Sequence, residues 1–461
     1  MPGILKHADG SIVELRTVKR FINAFAGEVL LPGDADYDSA RTLWNASIDK
    51  RPGLIARCTS TADVARVVTF ARINNLLVSI KGGGHNVAGH ALCDDGIVID
   101  LAPMNRVTVD AASHTVIVQA GARLEDVDRE THQHGLAVPA GVMSKTGVGG
   151  LTLGGGIGWL SRKYGLTCDN LLSCELVSAQ GEVLQVHGAS HSDLFWALRG
   201  GGGNFGVVTS FSFRAHPVST VLGGAIVYPR EHAATVLRFY RDFMLTAPDE
   251  LTAYVGMIST PEGIPATAIM MCYCGNPAAG EPIVQQLRTV APRVFEAIQP
   301  MPFPAMQKLA DPSSPDGIHN YWRSTFVNEL SDAAIAVIVE QSNQAPSELS
   351  VVLVQIFSGA VNKVDAAATA FPHRNAGFNV AIEAKWPDTV QSARNIAWTR
   401  GFSDALKPFS SYTCLVNFLG DESANEVRAA FGSHYEQLVD VKTKYDPTNF
   451  FRLNQNIKPR M

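Results

Sequence analysis

The chain has 461 residues, 46% of them hydrophobic and 18% charged, enough for two or three domains with full cores. Its formal net charge of -5 offers no electrostatic footprint for nucleic acid or an anionic membrane surface, so neither is expected as a partner. No segment reaches the roughly 20 apolar residues that span a bilayer, and the opening stretch MPGILKHADGSIVELRTVKRF breaks its apolar residues with charges, so a cytoplasmic protein without a signal peptide is the default expectation.

Residues 54–58 read as a short buried strand. Ser60-Thr-Ala-Asp63 then opens a helix as a capping box does, with Asp in place of Glu. Val64, Val67, Val68 and Ala71 fall on one face of that helix. A second strand, 76–80, runs straight into Lys81-Gly82-Gly83-Gly84-His85-Asn86. Strands follow at 97–101, 107–110 and 115–119, and a helix is predicted over 123–134 with Gly135 ending it. Residues 171–178 and 182–186, joined by Ala179-Gln-Gly181, read as a hairpin. Ser192 is placed to cap a short helix through Arg199, and after the glycine run 200–203 residues 207–214 alternate as a strand does. From about Val221 the glycine clusters fade. Strand-like stretches at 266–274, 350–358 and 378–386 then alternate with helical ones at 231–244, 280–290 and 331–341. The expectation is an α+β chain whose second domain is a sheet backed by helices.

Consecutive glycines let backbone N–H groups approach an anion without interference from Cβ and form an anion-binding concavity. Runs at 82–84, 154–156 and 200–203 together point to a large phosphate-containing ligand. Gly201-x-Gly203-x-x-Gly206 matches the dinucleotide fingerprint as a string, but a strand follows it rather than a helix, which argues against a Rossmann site. His85 leaves the first run directly. A lone loop histidine is ordinarily satisfied by backbone. Here the imidazole sits beside a loop shaped for pyrophosphate, and a neutral imidazole is a competent nucleophile toward an activated flavin methyl group. The seven cysteines include no C-x-x-C pair. Cys272 and Cys274 share a strand face without further Cys or His at finger-like spacing, so reduced thiols and no metal are expected.

Arg51-Pro-Gly-Leu-Ile-Ala-Arg57, Gly82-Gly-Gly-His-Asn86, Gly149-Gly-Leu-Thr-Leu-Gly-Gly-Gly156, Arg162-Lys-Tyr-Gly-Leu166, Asp169-Asn170, Asp193-Leu-Phe-Trp-Ala197, the segment from Arg199 to Val208 and the tail Tyr445-Asp-Pro-Thr-Asn-Phe-Phe-Arg-Leu-Asn-Gln-Asn456 follow one another from about residue 50 to 456. In these motifs the chain resembles the FAD-linked oxidases of the vanillyl-alcohol oxidase superfamily. It is most similar to the berberine-bridge-enzyme-like branch and, within it, to the bacterial hydroxynicotine oxidases. The resemblance implies a two-part FAD-binding domain, 1–220 and 411–461, with a substrate domain of antiparallel sheet and helices inserted at 221–410. It implies FAD joined covalently to His85. It also places the cofactor against Lys81, Gly82, Gly83, Gly84 and Asn86, and against Thr146, Gly147, Gly149 and Gly150. Further positions it implies are Gly154, Gly155, Gly156 and Gly158; Tyr164, Asp169 and Asn170; Gly206, Val207 and Val208; and Asn454 and Asn456.

Many relatives add a second link from a cysteine in a G-x-C-P-T-V-G stretch. Here the stretch is Gly141-Val-Met143-Ser-Lys-Thr146-Gly147, and a thioether cannot form that bond. A single attachment is therefore expected, with Cys168 a packed thiol. Thr146 stands where the resemblance puts an oxygen gatekeeper, and its valine-like shape favours an oxidase.

Flavin-dependent oxidation of an alcohol or amine needs a group to take the departing O–H or N–H proton. It also needs a donor for the charge of the reduced cofactor. Relatives often use a tyrosine in a Y-x-N-Y-like segment or an acid on a substrate-domain strand. Phe418, in Cys414-Leu-Val-Asn417-Phe418, stands where the tyrosine would be and takes no proton. Asn379 stands where some relatives carry an acid. Glu383 lies two pleats along on the same strand face and reads also as a solvent-facing carboxylate. Asn417 is a candidate donor to the cofactor, and Tyr321, Gln355 and Tyr412 are other candidate pocket residues. The expected activity is an FAD-dependent oxidase for a small amine, alcohol or phenolic compound, with oxygen as partner and hydrogen peroxide as product. A dehydrogenase using another acceptor, and a flavin-binding protein without turnover, are the alternatives. Substrate identity and oligomeric state stay open.

Overall fold

The computed structural model describes residues 5–410, 414–420 and 423–460. The first half carries two sheets. In one, Leu54–Arg57, Ile97–Asp100 and Val78–Lys81 run parallel, with Glu28–Leu30 antiparallel at the edge. Parallel neighbours need a crossover, and the helix Thr61–Ile73 lies on the path between the first and third of these. Its start follows the sequence reading: the Ser60 side chain accepts from the Asp63 N–H, and Asp63 accepts from the Ser60 N–H. Val64, Val67, Val68 and Ala71 are fully buried, which is the face the apolar spacing marks. Because Val78–Lys81 ends in the first glycine loop, that loop sits at the carboxyl edge of the parallel strands.

The second sheet is five antiparallel strands in the order Val107–Asp110, Thr115–Gln119, Val207–Arg214, Leu171–Val177, Val183–His187. The helix expected before Gly135 spans Leu124–His132, and Gly135 takes φ +67° after it. One detail differs. Ser192 does not cap the next helix; it is the first residue of Ser192–Ala197, and the residue before it, His191, is left-handed at φ 55°. This helix is tied from elsewhere, since Asp193 accepts from Tyr445 Oη (2.9 Å) and Lys444 Nζ (2.6 Å) in the tail.

The third sheet has seven antiparallel strands, ordered Phe295–Pro302, Thr220–Pro229, Pro265–Tyr273, Leu251–Ser259, Val351–Ile356, Phe378–Trp386, His319–Val327. Side chains alternate between its two faces. Ile226, Val255, Ile269, Val354 and Ile382 bury one face under helices that include Ala233–Thr246, Asp332–Asn343 and Ser392–Leu406. The other face, carrying Tyr254, Met270, Leu353 and Glu383, turns toward the first half.

The chain then returns to the first half through the helix Tyr435–Tyr445 and the tail beyond it. Lys442 is the anchor there. Its ammonium, with no exposed side-chain surface, donates to Asn204 O (2.7 Å), Phe451 O (2.8 Å) and Asp446 Oδ2 (2.7 Å). No helix among the described residues is long and apolar enough to cross a membrane.

Candidate active site

A cavity of about 520 Å³ lies between the glycine loops and the inner face of the seven-stranded sheet. Gly82, Gly83, Gly84, His85 and Asn86 form one wall. Thr146, Gly147, Gly149 and Gly150 stand beside them, followed by Gly154 and Gly156. Gly206, Val207, Val208 and Asn454 complete that side. Gly83 and Gly147 pack back to back, so a Cβ on either would collide with the other's backbone. A Cβ on Gly154 would lie 2.5 Å from the Asn417 amide. At Gly150 and Gly203, by contrast, a Cβ would meet nothing within 4 Å, so bare backbone borders open space.

His85 stands at the end of the first loop. Its ring stacks on Trp44 with 4.9 Å between centroids and 13° between planes. Among the described residues no group hydrogen-bonds to the imidazole. Burial pushes its pKa down to about 4, so the ring is neutral near pH 7 and keeps a free lone pair. His90 borders the same cavity and is likewise held neutral by burial, with a pKa of about 4. Sequence reasoning missed it, although it lies only five residues beyond His85.

Several expected cofactor residues lie behind the wall instead of on it. Lys81 donates to Ala40 O (2.5 Å) and stands 4.0 Å from Asp100. Asp169 forms a two-pronged ion pair with Arg374 (2.6 and 2.7 Å) and accepts from the Leu166 N–H. Asn170 donates to Tyr164 O and Leu166 O, while the Tyr164 ring stacks on His216. Gly155 abuts Phe371, and Gly158 abuts the Ala140 carbonyl. These groups shape the 155–170 loop that backs the cavity. Asn456 is in the tail, with a buried Oδ1 that has no partner among the described residues. Cys168 has no exposed surface, lies off the cavity, and has its thiol pKa pushed up by burial. Met143 is on the wall.

On the sheet side, Glu383 faces the cavity and pairs with Lys385 Nζ at 2.9 Å. Lys385 is 1% exposed and also donates to Ser313 O (3.0 Å). Its part in the site was not visible in the sequence. Asn379 shares the strand face but is fully buried and off the cavity; its amide donates to Gln355 Oε1 (2.9 Å), and Gln355 is the residue that reaches the wall. Asn417 is on the wall, with its amide on Gly150 O (3.1 Å), and Phe418 borders the cavity beside Trp322. Tyr321 departs from the expectation. Strand alternation turns it to the opposite face, where it packs with Trp386 and its hydroxyl accepts from Arg400 Nε (3.0 Å). Tyr412 lies outside the described residues.

The third side is closed by a strap at 309–316 that joins the two halves of the molecule. Ser144 donates through N and Oγ to Asp311 (2.9 and 2.6 Å), Lys145 pairs with Asp316 (2.7 Å), and Trp44 Nε1 donates to Ser314 O (3.2 Å).

Buried polar groups normally have partners. Trp159 Nε1, Asn454 Oδ1 and Gln455 Nε2 on this wall have none among the described residues. Unpartnered polar atoms, bare glycine backbone and a neutral imidazole at one end fit a dinucleotide with an aromatic head group. Among the described residues no cluster of three or more His, Cys, Asp and Glu could hold a metal ion.

Residues 52–187 match the family described as FAD binding domain, and residues 414–458 match the one described as berberine and berberine like. The chain is similar to an FAD-linked oxidoreductase of Dictyostelium discoideum, 34% identical over 448 residues that cover 96% of this chain and 97% of the relative. It is also similar to (R)-6-hydroxynicotine oxidase of Paenarthrobacter nicotinovorans, 31% identical over 446 residues, 94% of this chain and 97% of that one. The crystal structure of 6-hydroxy-D-nicotine oxidase from Arthrobacter nicotinovorans has the same fold, with a TM-score of 0.86 at 29% identity, covering 95% of this chain and 99% of the other.

Proposed function

The chain belongs to the berberine-bridge-enzyme-like FAD-linked oxidoreductases, and on that premise we propose that it carries FAD covalently through His85 and oxidises a small molecule bearing a hydroxyl or amine, with dioxygen as acceptor and hydrogen peroxide as product. The observation that carries this reading is the neutral imidazole at the end of a glycine-lined cavity. Bound FAD supplies the two-electron acceptor for the substrate and the two-electron donor for oxygen. The protein supplies the rest. Open backbone at Gly150 and Gly203 would receive the pyrophosphate, and the Asn417 and Asn454 side chains on the wall would meet polar edges of the cofactor.

Glu383 is the group that takes the substrate proton. Lys385 and the Ser313 carbonyl fix that end of the pocket, and Trp322, Phe418, Met270 and Leu353 keep water from it. The lining between Glu383 and the glycine wall is aromatic and aliphatic, which suits a compact apolar substrate with one polar handle. Anaerobic bleaching of the flavin by a panel of amines, alcohols and phenols, followed by admission of oxygen and a peroxide assay, tests the reading. Bleaching by no member of the panel would favour a flavin-binding protein without turnover.

Glu383→Gln is expected to lower the rate of flavin reduction by about 10²- to 10⁴-fold, the usual value of a positioned base, while flavin content stays at the wild-type level. An unchanged reduction rate would remove Glu383 from the chemistry.

Thr146, which faces the cavity, is expected to leave the path of oxygen open. Thr146→Leu should slow reoxidation by about tenfold, the factor that ~1.4 kcal/mol of crowding gives, with little change in reduction by substrate. Stopped-flow mixing of reduced enzyme with aerated buffer measures both limbs. Wild-type reoxidation that is itself sluggish, beside fast reaction with an artificial acceptor, would make the protein a dehydrogenase.

A further inference from the structure

We propose that Trp44 is a positioning residue that sets the plane of the His85 imidazole for covalent attachment of the cofactor. The inference rests on the reading that His85 carries the FAD.

The His85 ring makes no hydrogen bond to a described residue, so its orientation about the last side-chain torsion comes from packing. The packing partner is the Trp44 indole, stacked on it with nearly parallel planes. An imidazole lone pair lies in the ring plane, so whatever sets the plane sets the line of attack. Attachment forms one bond from an imidazole nitrogen to a methyl carbon of the flavin. It breaks one imidazole N–H and one methyl C–H bond, and the two protons and two electrons released pass to dioxygen as one hydrogen peroxide. Nothing in that balance requires Trp44 to react; its contribution is geometric.

Trp44 is itself held on several sides. It is 5% exposed, its Nε1 donates to Ser314 O (3.2 Å), and its ring meets the edge of Trp322 at 5.1 Å. The next residue grips the loop that follows His85: Asn45 Nδ2 donates to Val87 O (2.9 Å) and Asn320 O (3.0 Å), and Asn45 Oδ1 accepts from the Asn320 N–H (2.9 Å). Lys50 Nζ reaches Gly89 O (2.9 Å) and Leu92 O (3.2 Å). Segment 44–50 thus braces the His85 loop along its length and ties it to the strand that carries Trp322.

The test uses the full chain from riboflavin-starved cells, incubated aerobically with excess FAD. Total bound FAD is read by absorbance after desalting. The covalent fraction is read by intact mass and by flavin fluorescence of the acid-denatured chain. Trp44→Leu is expected to bind FAD as the wild type does but to attach it about tenfold more slowly, as loss of an aromatic stack implies. Trp44→Phe, which keeps a ring, should stay within about twofold of wild type on the same grounds. Attachment in Trp44→Leu at the wild-type rate overturns the proposal. So does a Leu variant that takes up no FAD, because Trp44 then holds the pocket instead of orienting the ring, and so does a Phe variant as slow as Leu. A wild type that never becomes covalent shows instead that the reading of His85 is wrong.

Discussion

His85→Ala is expected to convert an acid-stable flavin into one that acid releases completely. In the wild type, acid precipitation should leave the pellet yellow, and intact mass should show one FAD added to the chain. His85 is the nucleophile this expectation rests on, because burial keeps its ring uncharged where a surface histidine would be partly protonated. A second attachment point is not expected to substitute. Met143 occupies the wall position beside Thr146, and Cys168 is sealed behind it with a thiol pushed away from its reactive thiolate form. The Ala variant keeps the bare glycine backbone and the tail amides, so it should still bind FAD noncovalently. Persistent covalent flavin in His85→Ala, or a flavin-bearing peptide containing Cys168, would refute the assignment.

Lys442→Met should be the most destabilising single change in the return segment. The Lys442 ammonium is completely enclosed and satisfies three acceptors drawn from a glycine-rich loop, the tail and Asp446 at the end of its own helix. Burial pushes its pKa down, while Asp446 works against that shift. Removing the cation leaves the Asp446 carboxylate buried with only the Phe450 and Phe451 N–H groups. Breaking a buried pair in this way costs about 3–5 kcal/mol. Chemical denaturation should show that loss, with FAD released earlier in the transition than in wild type. Lys442→Met/Asp446→Leu should recover part of it, since no unpaired charge then remains. A single variant within about 1 kcal/mol of wild type would mean that water reaches the site and satisfies the carboxylate.

What could be read in advance were the features whose physics is local. The Ser60–Asp63 capping box, the glycine after Leu124–His132 and the bare-backbone loops each depend on a few neighbouring residues, and the structure shows that local geometry. His85 stood out for the same reason, as the residue leaving such a loop. Trp44 did not, because its meaning comes from the stack on His85, and the indole is held by Ser314, 270 positions away. Lys385 carries no local signal, since nothing nearby in the sequence announces that the Ser313 carbonyl will cover it. Asn379 stands out by resemblance and Tyr321 as a candidate pocket residue, and it is the strand's facing and depth that keep both off the cavity wall. In the seven-stranded sheet, 220–229, 251–259, 295–302 and 319–327 are missing from the sequence reading; in the first two, apolar runs with interspersed glycines lack the clean alternation of a one-sided strand.

Lys442 also joins parts of the chain that are made far apart in time. A ribosome that has made residues 1–208 has already produced all the glycine loops and His85, yet Asn204 still waits for a lysine more than 200 residues downstream. Until that lysine and the tail emerge, the cavity lacks Asn454 and Gln455 from its wall. The complete cavity is therefore assembled from residues made early and residues made last, and a chain cut short of the tail would lack one of its walls.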